Sequence, residues 1–197
     1  MFTQPSSVQF SLPAWIEEFA RGYSVVEKPA ERMAFVIAAS RKNVEEKTGG
    51  PFAAAIFQKD TGKLVSLGVN LVTSQGMSLL HAEMVAFALA QRKLGTYDLG
   101  RKGLAQHELV ASTEPCAMCF GAIFWSGVRR VVCAAEDADA RSIGFDEGPK
   151  LDNWQEALRS RGIEVVCGTR REEAAAVLAW YAASGGQIYN SRESMPG

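Results

Sequence analysis

The chain has 197 residues, 47% of them apolar and 22% charged, with a formal net charge of −1 and a sequence pI of about 6.2. That length buries one full core, so a single domain is expected, and the near-neutral balance argues against a nucleic-acid partner held through its phosphates, which needs a concentrated basic footprint. No run of about 18 apolar residues occurs and the first dozen residues have neither a basic start nor an apolar core, so neither a membrane span nor a secretory signal is expected and a cytoplasmic protein is implied.

Residues 1–28 read as an N-terminal extension in which Trp15, Ile16 and Phe19 fall at helical spacing, a short helix within 13–23. Pro29 suits the first turn of a second helix, with Met33, Val36, Ile37 and Ser40 on one face, running to about Lys47 and stopping at Gly49-Gly50. Apolar runs at 52–58 and 63–70, joined by Lys59-Asp60-Thr61-Gly62, predict a β-hairpin. A loop over 71–78 leads to a helix at 80–93, and residue 107, a histidine, reads as a surface or edge position before a strand at 108–112. A helix at 116–126 follows, entered through Pro115, then a strand at 130–134, a polar loop over 136–150, a helix at 154–161, a strand at 163–167 and a helix at 172–183. This order predicts an α/β fold, a three-layer α/β/α sandwich around a mixed five-stranded sheet, over 29–183, with a tail at 184–197. Arg41-Lys42 before Glu45-Glu46, and Arg170-Arg171 before Glu172-Glu173, read as solvated helix faces.

The chemistry gathers at two helix starts. His81-Ala82-Glu83 opens one, and Pro115-Cys116-Ala117-Met118-Cys119 opens the other. Thiolate and neutral imidazole are the usual donors to zinc, and helix N-termini favour the thiolate, so His81, Cys116 and Cys119 are the candidate ligands of one Zn²⁺ per chain, with a fourth position left open. Zinc in an open site lowers the pKa of a water to roughly 7, and Glu83, two residues past a ligand, is the candidate proton carrier. A closed structural zinc site would need a fourth ligand, and His107, Cys133 and Cys167 lie in no paired spacing with the motif; a redox Cys-x-x-Cys is the other alternative. Cys133 and Cys167 each sit in an apolar run and read as core thiols.

The motifs Gly50-Pro51-Phe52, Asn70, His81-Ala82-Glu83, Glu114-Pro115-Cys116-Ala117-Met118-Cys119 and Gly121-Ala122-Ile123, spread between Arg32 and Cys133, resemble the cytidine-deaminase-like superfamily of zinc deaminases, in the branch holding guanine and tRNA adenosine deaminases. Gly121-Ala122-Ile123-Phe124-Trp125 and Gly144-Phe145-Asp146-Glu147 are similar to the bacterial guanine deaminases. The resemblance implies zinc-dependent deamination of a free nucleobase, guanine to xanthine and ammonia, with related aminotriazines as further candidates. It implies a second proton shuttle or base contact at Glu147, a hydrogen bond from Asn70, and packing of Phe52 and Trp125 on the base. Ala179-Trp180 and Tyr189 are spaced like a tail that is exchanged between subunits of a homodimer, Tyr189 closing the partner's site and Gly185-Gly186 serving as hinge. A tRNA or other adenosine or cytidine deaminase, and a non-catalytic zinc-binding module, are the competing readings.

Overall fold

A computed structural model describes residues 2–190; residues 191–197, the end of the expected tail, lie outside the described residues. In chain order the elements are α1 (Ile16–Arg21), α2 (Pro29–Glu45), β1 (Ala53–Gln58), β2 (Leu64–Val69), α3 (Val72–Gln75), α4 (Ala82–Leu94), β3 (His107–Thr113), α5 (Ala117–Ser126), β4 (Arg130–Ala135), α6 (Asp137–Ser142), α7 (Trp154–Arg159), β5 (Glu164–Val166) and α8 (Arg171–Ala183). The strands form one sheet in the order β2-β1-β3-β4-β5, with β1 antiparallel to both neighbours and β3, β4 and β5 mutually parallel. Both faces are covered, so the expected α/β/α sandwich on a mixed sheet is the fold.

Strand periodicity sorts the core into two sides. Ala53, Ala55, Phe57, Val110 and Val132 face α2 and α8, whereas Ala54, Ile56, Leu109, Ala111, Val131 and Cys133 face α4, α5 and α7. The run Ala53-Ala54-Ala55 keeps β1 thin, which lets helices approach from both sides. Gly68 does the same on β2: a Cβ there would lie 2.4 Å from the Ala82 carbonyl oxygen, so only glycine admits the start of α4 this close. That approach fixes where His81 and Glu83 stand.

The N-terminal extension joins the same core. Trp15, Phe19, Tyr23, Phe35 and Phe57 form a continuous run of ring contacts with centroids 4.7–6.5 Å apart. From Trp15 a polar chain leads inward: its indole N–H donates to Thr48 Oγ1 (3.1 Å), the Thr48 hydroxyl donates to Asn43 Oδ1 (2.7 Å), and Asn43 Nδ2 donates to the Asn70 carbonyl (3.0 Å).

Several local expectations need correction. Helix α2 ends at Glu45, with Lys47 in the left-handed region (φ 56°), so Gly49-Gly50 is not its stop. The loop over 71–78 contains α3, and the polar loop over 136–150 contains α6, held by a reciprocal cap between Glu136 and Asp139. His107 is neither surface nor edge: β3 begins on it, β3 is the central strand, and the ring is 1% exposed with Nδ1 2.8 Å from the Leu99 carbonyl. Cys133 is a core thiol, but Cys167 is exposed, because β5 ends at Val166 on the sheet edge and releases the next residue to the surface. The mixed charge runs are solvated, with Arg41–Glu45, Lys42–Glu46 and Arg170–Glu173 paired along their helices.

Candidate active site

The C-terminal end of β3 and the starts of α4 and α5 meet at a cavity of about 320 Å³. His81 is the N-cap of α4 and Cys116 the N-cap of α5, and neither side chain caps its own helix, so both are free to face outward. The donor atoms of His81, Cys116 and Cys119 lie within 4.8 Å of one another, His81 Nδ1 standing 3.5 Å from Cys116 Sγ. Cys119 is fully buried and Cys116 nearly so, while the cavity opens beside His81 and Cys116. One imidazole and two thiols converging at an open-sided point fit Zn²⁺, which takes such donors and keeps one position free in catalytic sites.

The electrostatics agree with a cation site. The hydrogen bond from Cys119 outweighs burial and, with His81, holds Cys116 down at about 4, while Cys119 is pushed well above an ordinary thiol by that same hydrogen bond and by burial. The metal-free pair therefore holds one thiolate and one thiol at neutral pH. Burial lowers the His81 pKa, but the Cys116 hydrogen bond and thiolate, with Glu83 and Glu147, raise it on balance.

Glu83 sits in the first turn of α4, 8% exposed, and burial together with the Cys116 thiolate pushes its carboxyl up. Glu147 lines the same cavity, 7% exposed; burial first, then Cys116 and Glu83, push its pKa up to about 8. A divalent cation in the triad opposes both shifts by Coulomb attraction. The loop carrying Glu147 is stitched in place: its carbonyl accepts from Ala117 N–H (2.9 Å), Gly148 N–H donates to Asp146 Oδ1 (2.8 Å), and Asn190 bridges Asp146 N–H (2.9 Å) and the Gly144 carbonyl (2.8 Å).

Asn70, 1% exposed, directly follows β2 and lines the cavity; its Oδ1 accepts from Val72 N–H at 3.2 Å, and the bond from Leu71 N–H to the Leu80 carbonyl (2.9 Å) folds the 71–80 loop so that Asn70 and His81 share one wall. Phe52 also lines it, edge-on to Phe145 at 5.0 Å, and Phe145 meets Tyr189 at 5.0 Å. Gly50 makes room for Tyr189: a Cβ there would lie 2.8 Å from the tyrosine hydroxyl. The structure thus brings together His81, Cys116, Cys119, Glu83, Glu147, Asn70, Phe52 and Tyr189, the last from the chain's own tail.

It does not bring in Trp125. Nine residues beyond Cys116, at 3.6 residues per turn, Trp125 projects from the opposite side of α5, and it is 84% exposed and absent from the cavity wall. Among the wall residues that the motifs do not single out are Phe145 and Thr113. Phe145 lies inside the Gly144-Phe145-Asp146-Glu147 run, two residues before the acid that lines the same cavity. Thr113, next to Glu114, offers a buried hydroxyl with no partner among the described residues, and nothing short of the fold signals that.

Such a centre on a helix-covered mixed sheet is that of a zinc hydrolase. Residues 26–135 match the family model described as "Cytidine and deoxycytidylate deaminase zinc-binding region", and the chain belongs to this family. It is 35% identical over 139 residues to the guanine deaminase of Bacillus subtilis (strain 168), covering 71% of this chain and 85% of that protein. A tRNA-specific adenosine deaminase of the same organism is 33% identical over 137 residues, 70% of this chain and 78% of that one. Among solved structures, the guanine deaminase from Nitrosomonas europaea superposes with a TM-score of 0.87 at 44% identity, covering 92% of this chain and 100% of that one. A crystal structure containing 2,6-diaminopurine superposes with a TM-score of 0.87 at 47% identity, covering 93% and 97%. Acting on a C–N bond by hydrolysis is the chemistry of the family, and no described helix is long and apolar enough to cross a membrane.

Proposed function

We propose that the enzyme hydrolyses the exocyclic amine of guanine, giving xanthine and ammonia. The observation that carries this reading is the second buried carboxylate, Glu147, in the cavity that holds Glu83 and the triad. Guanine presents a ring N–H beside its amine, and a carboxylate accepts from both; adenine presents a bare ring nitrogen there and leaves the carboxylate unmatched, a costly arrangement in a dry pocket. The guanine deaminases among the relatives support the same choice.

His81, Cys116 and Cys119 would hold the zinc, whose chemistry is to activate a water at neutral pH and polarise the reacting centre. Glu83 takes a proton from the attacking water and passes it to the ring nitrogen next to the amine-bearing carbon. The adduct then collapses as Glu83 delivers the second proton to the leaving amine, so one water is consumed and one ammonia released. Asn70 and Glu147 hold the base edge, and Phe52, Phe145 and Tyr189 exclude solvent.

A homodimer is part of the reading. Met118, Gly121, Ala122 and Trp125 give α5 an apolar outer face, with Leu79 exposed as well, and a second copy is the occupant we assign to it. The expected tail exchange would then be a matter of which subunit's Tyr189 covers which site. The reading puts the enzyme in the cytoplasm, where a reducing poise returns any protein disulfide to thiols.

The test is ammonia release from guanine, adenine, cytosine, their nucleosides and aminotriazines at equal concentration. Guanine should be turned over at least tenfold faster than any nucleoside, with slower release from aminotriazines that share its amino-oxo edge. Turnover of adenosine in a tRNA anticodon loop, with guanine untouched, would reverse the substrate choice.

A further inference from the structure

A second cluster of thiols lies outside the catalytic centre. Cys133 lies within the buried stretch of β4 and Cys167 directly follows the last residue of β5; Val132 pairs with Val166 in register, so the next residues of the two segments, Cys133 and Cys167, stand side by side. Adjacent strands run about 4.8 Å apart, within the Cα separation that a disulfide spans. The sulfurs are 3.1 Å apart, with the Cys133 S–H donating to Cys167. Cys133 is fully buried and Cys167 exposed, so a reagent in solution reaches one thiol while the other waits directly behind it.

We propose that Cys133 and Cys167 form a reversible oxidation site that takes a hydroperoxide as its reactant and closes to an intrachain disulfide. The Cys167 thiolate attacks one peroxide oxygen, the O–O bond breaks, and the other oxygen leaves as an alcohol or water after protonation, giving Cys167 as a sulfenic acid. Cys133 then attacks the Cys167 sulfur, and its proton departs with the hydroxyl as water. Two thiols and one hydroperoxide become one disulfide, one alcohol or water, and one water. The roles follow from position: the exposed sulfur meets the oxidant and the buried one resolves it.

The surroundings favour this over a second metal. The Glu114 carboxylate lies within 4.8 Å of both sulfurs, a third potential ligand, but Glu114 already accepts from Asp137 N–H (3.2 Å) and has the Lys150 ammonium 3.7 Å away. A fixed cation disfavours a second one and favours a thiolate. In the same direction, the hydrogen bond from Cys133 holds Cys167 below an ordinary thiol against the opposition of burial and Glu114, with Arg159 and Lys150 adding to the lowering.

The zinc-loaded protein is treated with hydrogen peroxide in slight molar excess and mapped with trypsin without reduction. Cleavage separates Cys133 (131–141), Cys167 (162–170) and the ligand pair Cys116 and Cys119 (103–129) onto three peptides. The expected result is one cross-linked species joining 131–141 to 162–170, lighter than the sum by two hydrogens and split by dithiothreitol, with 103–129 unlinked and zinc retained. In Cys133→Ser the cross-link should be lost and a sulfenic acid trapped on Cys167 by dimedone; in Cys167→Ser, Cys133 should stay a thiol. The proposal is overturned if wild type also stops at the Cys167 sulfenic acid, if Cys116 and Cys119 oxidise with zinc loss before the pair does, or if no thiol outside the triad reacts.

Discussion

The two ends of β3 carry buried charge in opposite states of completion. At its first residues Glu108, fully buried, receives Arg32 and Arg130, the latter at 2.6 Å, and Arg32 donates three further N–H groups to the carbonyls of Val26 (3.2 Å), Glu27 (2.8 Å) and Lys59 (3.0 Å). Past Thr113 the cavity holds a hydroxyl with no partner among the described residues, two buried carboxylates without an ion pair among them, and three metal donors facing one point. A buried carboxylate such as Glu108, with both oxygens held by guanidinium groups of its own chain, serves the fold. The same groups left open serve a ligand, and the fold bears their desolvation.

Breaking the open end should show in chemistry and not in stability. Glu83→Gln is the largest expected effect: a fall in kcat of about 10² to 10⁴-fold, the range for losing a positioned proton carrier, with zinc content by metal analysis unchanged. Retained turnover would remove Glu83 from the mechanism. Breaking the closed end should do the converse. Glu108→Gln leaves Arg32 buried without its countercharge, and chemical denaturation should report a loss of about 3–5 kcal/mol with kcat of the folded fraction within twofold. If kcat fell in step with Glu83→Gln, the division between the ends would be false.

Smaller effects sharpen the comparison. Asn70→Ala should lower kcat/KM about 10 to 100-fold, the cost of one buried hydrogen bond to substrate, and Tyr189→Phe only severalfold if the ring's main task is excluding water. Zinc binding should depend on pH with a definite sign. Cys119 is a thiol in the metal-free fold and must lose its proton to bind, so affinity rises with pH, and at least one proton is released per zinc at pH 7 in an indicator titration. The raised His81 pKa adds to the release as pH falls. Binding without proton release would mean that both thiols were already ionised.

Much of the site was legible because its chemistry is local. His81 and Glu83 lie in one turn, Cys116 and Cys119 in another, and residue type with spacing names a metal and a proton carrier whatever the fold does. Asn70, Phe52 and Glu147 were reached through resemblance, since their relation to the metal spans strands and loops. Trp125 does not line the cavity of its own chain, because two and a half turns beyond Cys116 it projects from the opposite side of α5. His107 was misassigned because burial depends on the strand's rank in the sheet, and Cys167 because an edge strand's end is not visible in an apolar run.

By itself, then, the sequence determined the chain order of the five strands and the longer helices, the mixed α/β class and the donor set, all products of short-range periodicity, capping and side-chain chemistry. The tertiary structure alone decided which groups were left unsatisfied. Thr113 without a partner among the described residues, Glu108 with two, and Cys133 against Cys167 all follow from strand order and register, which bring together residues from distant parts of the chain, and partnering is a property of that packing.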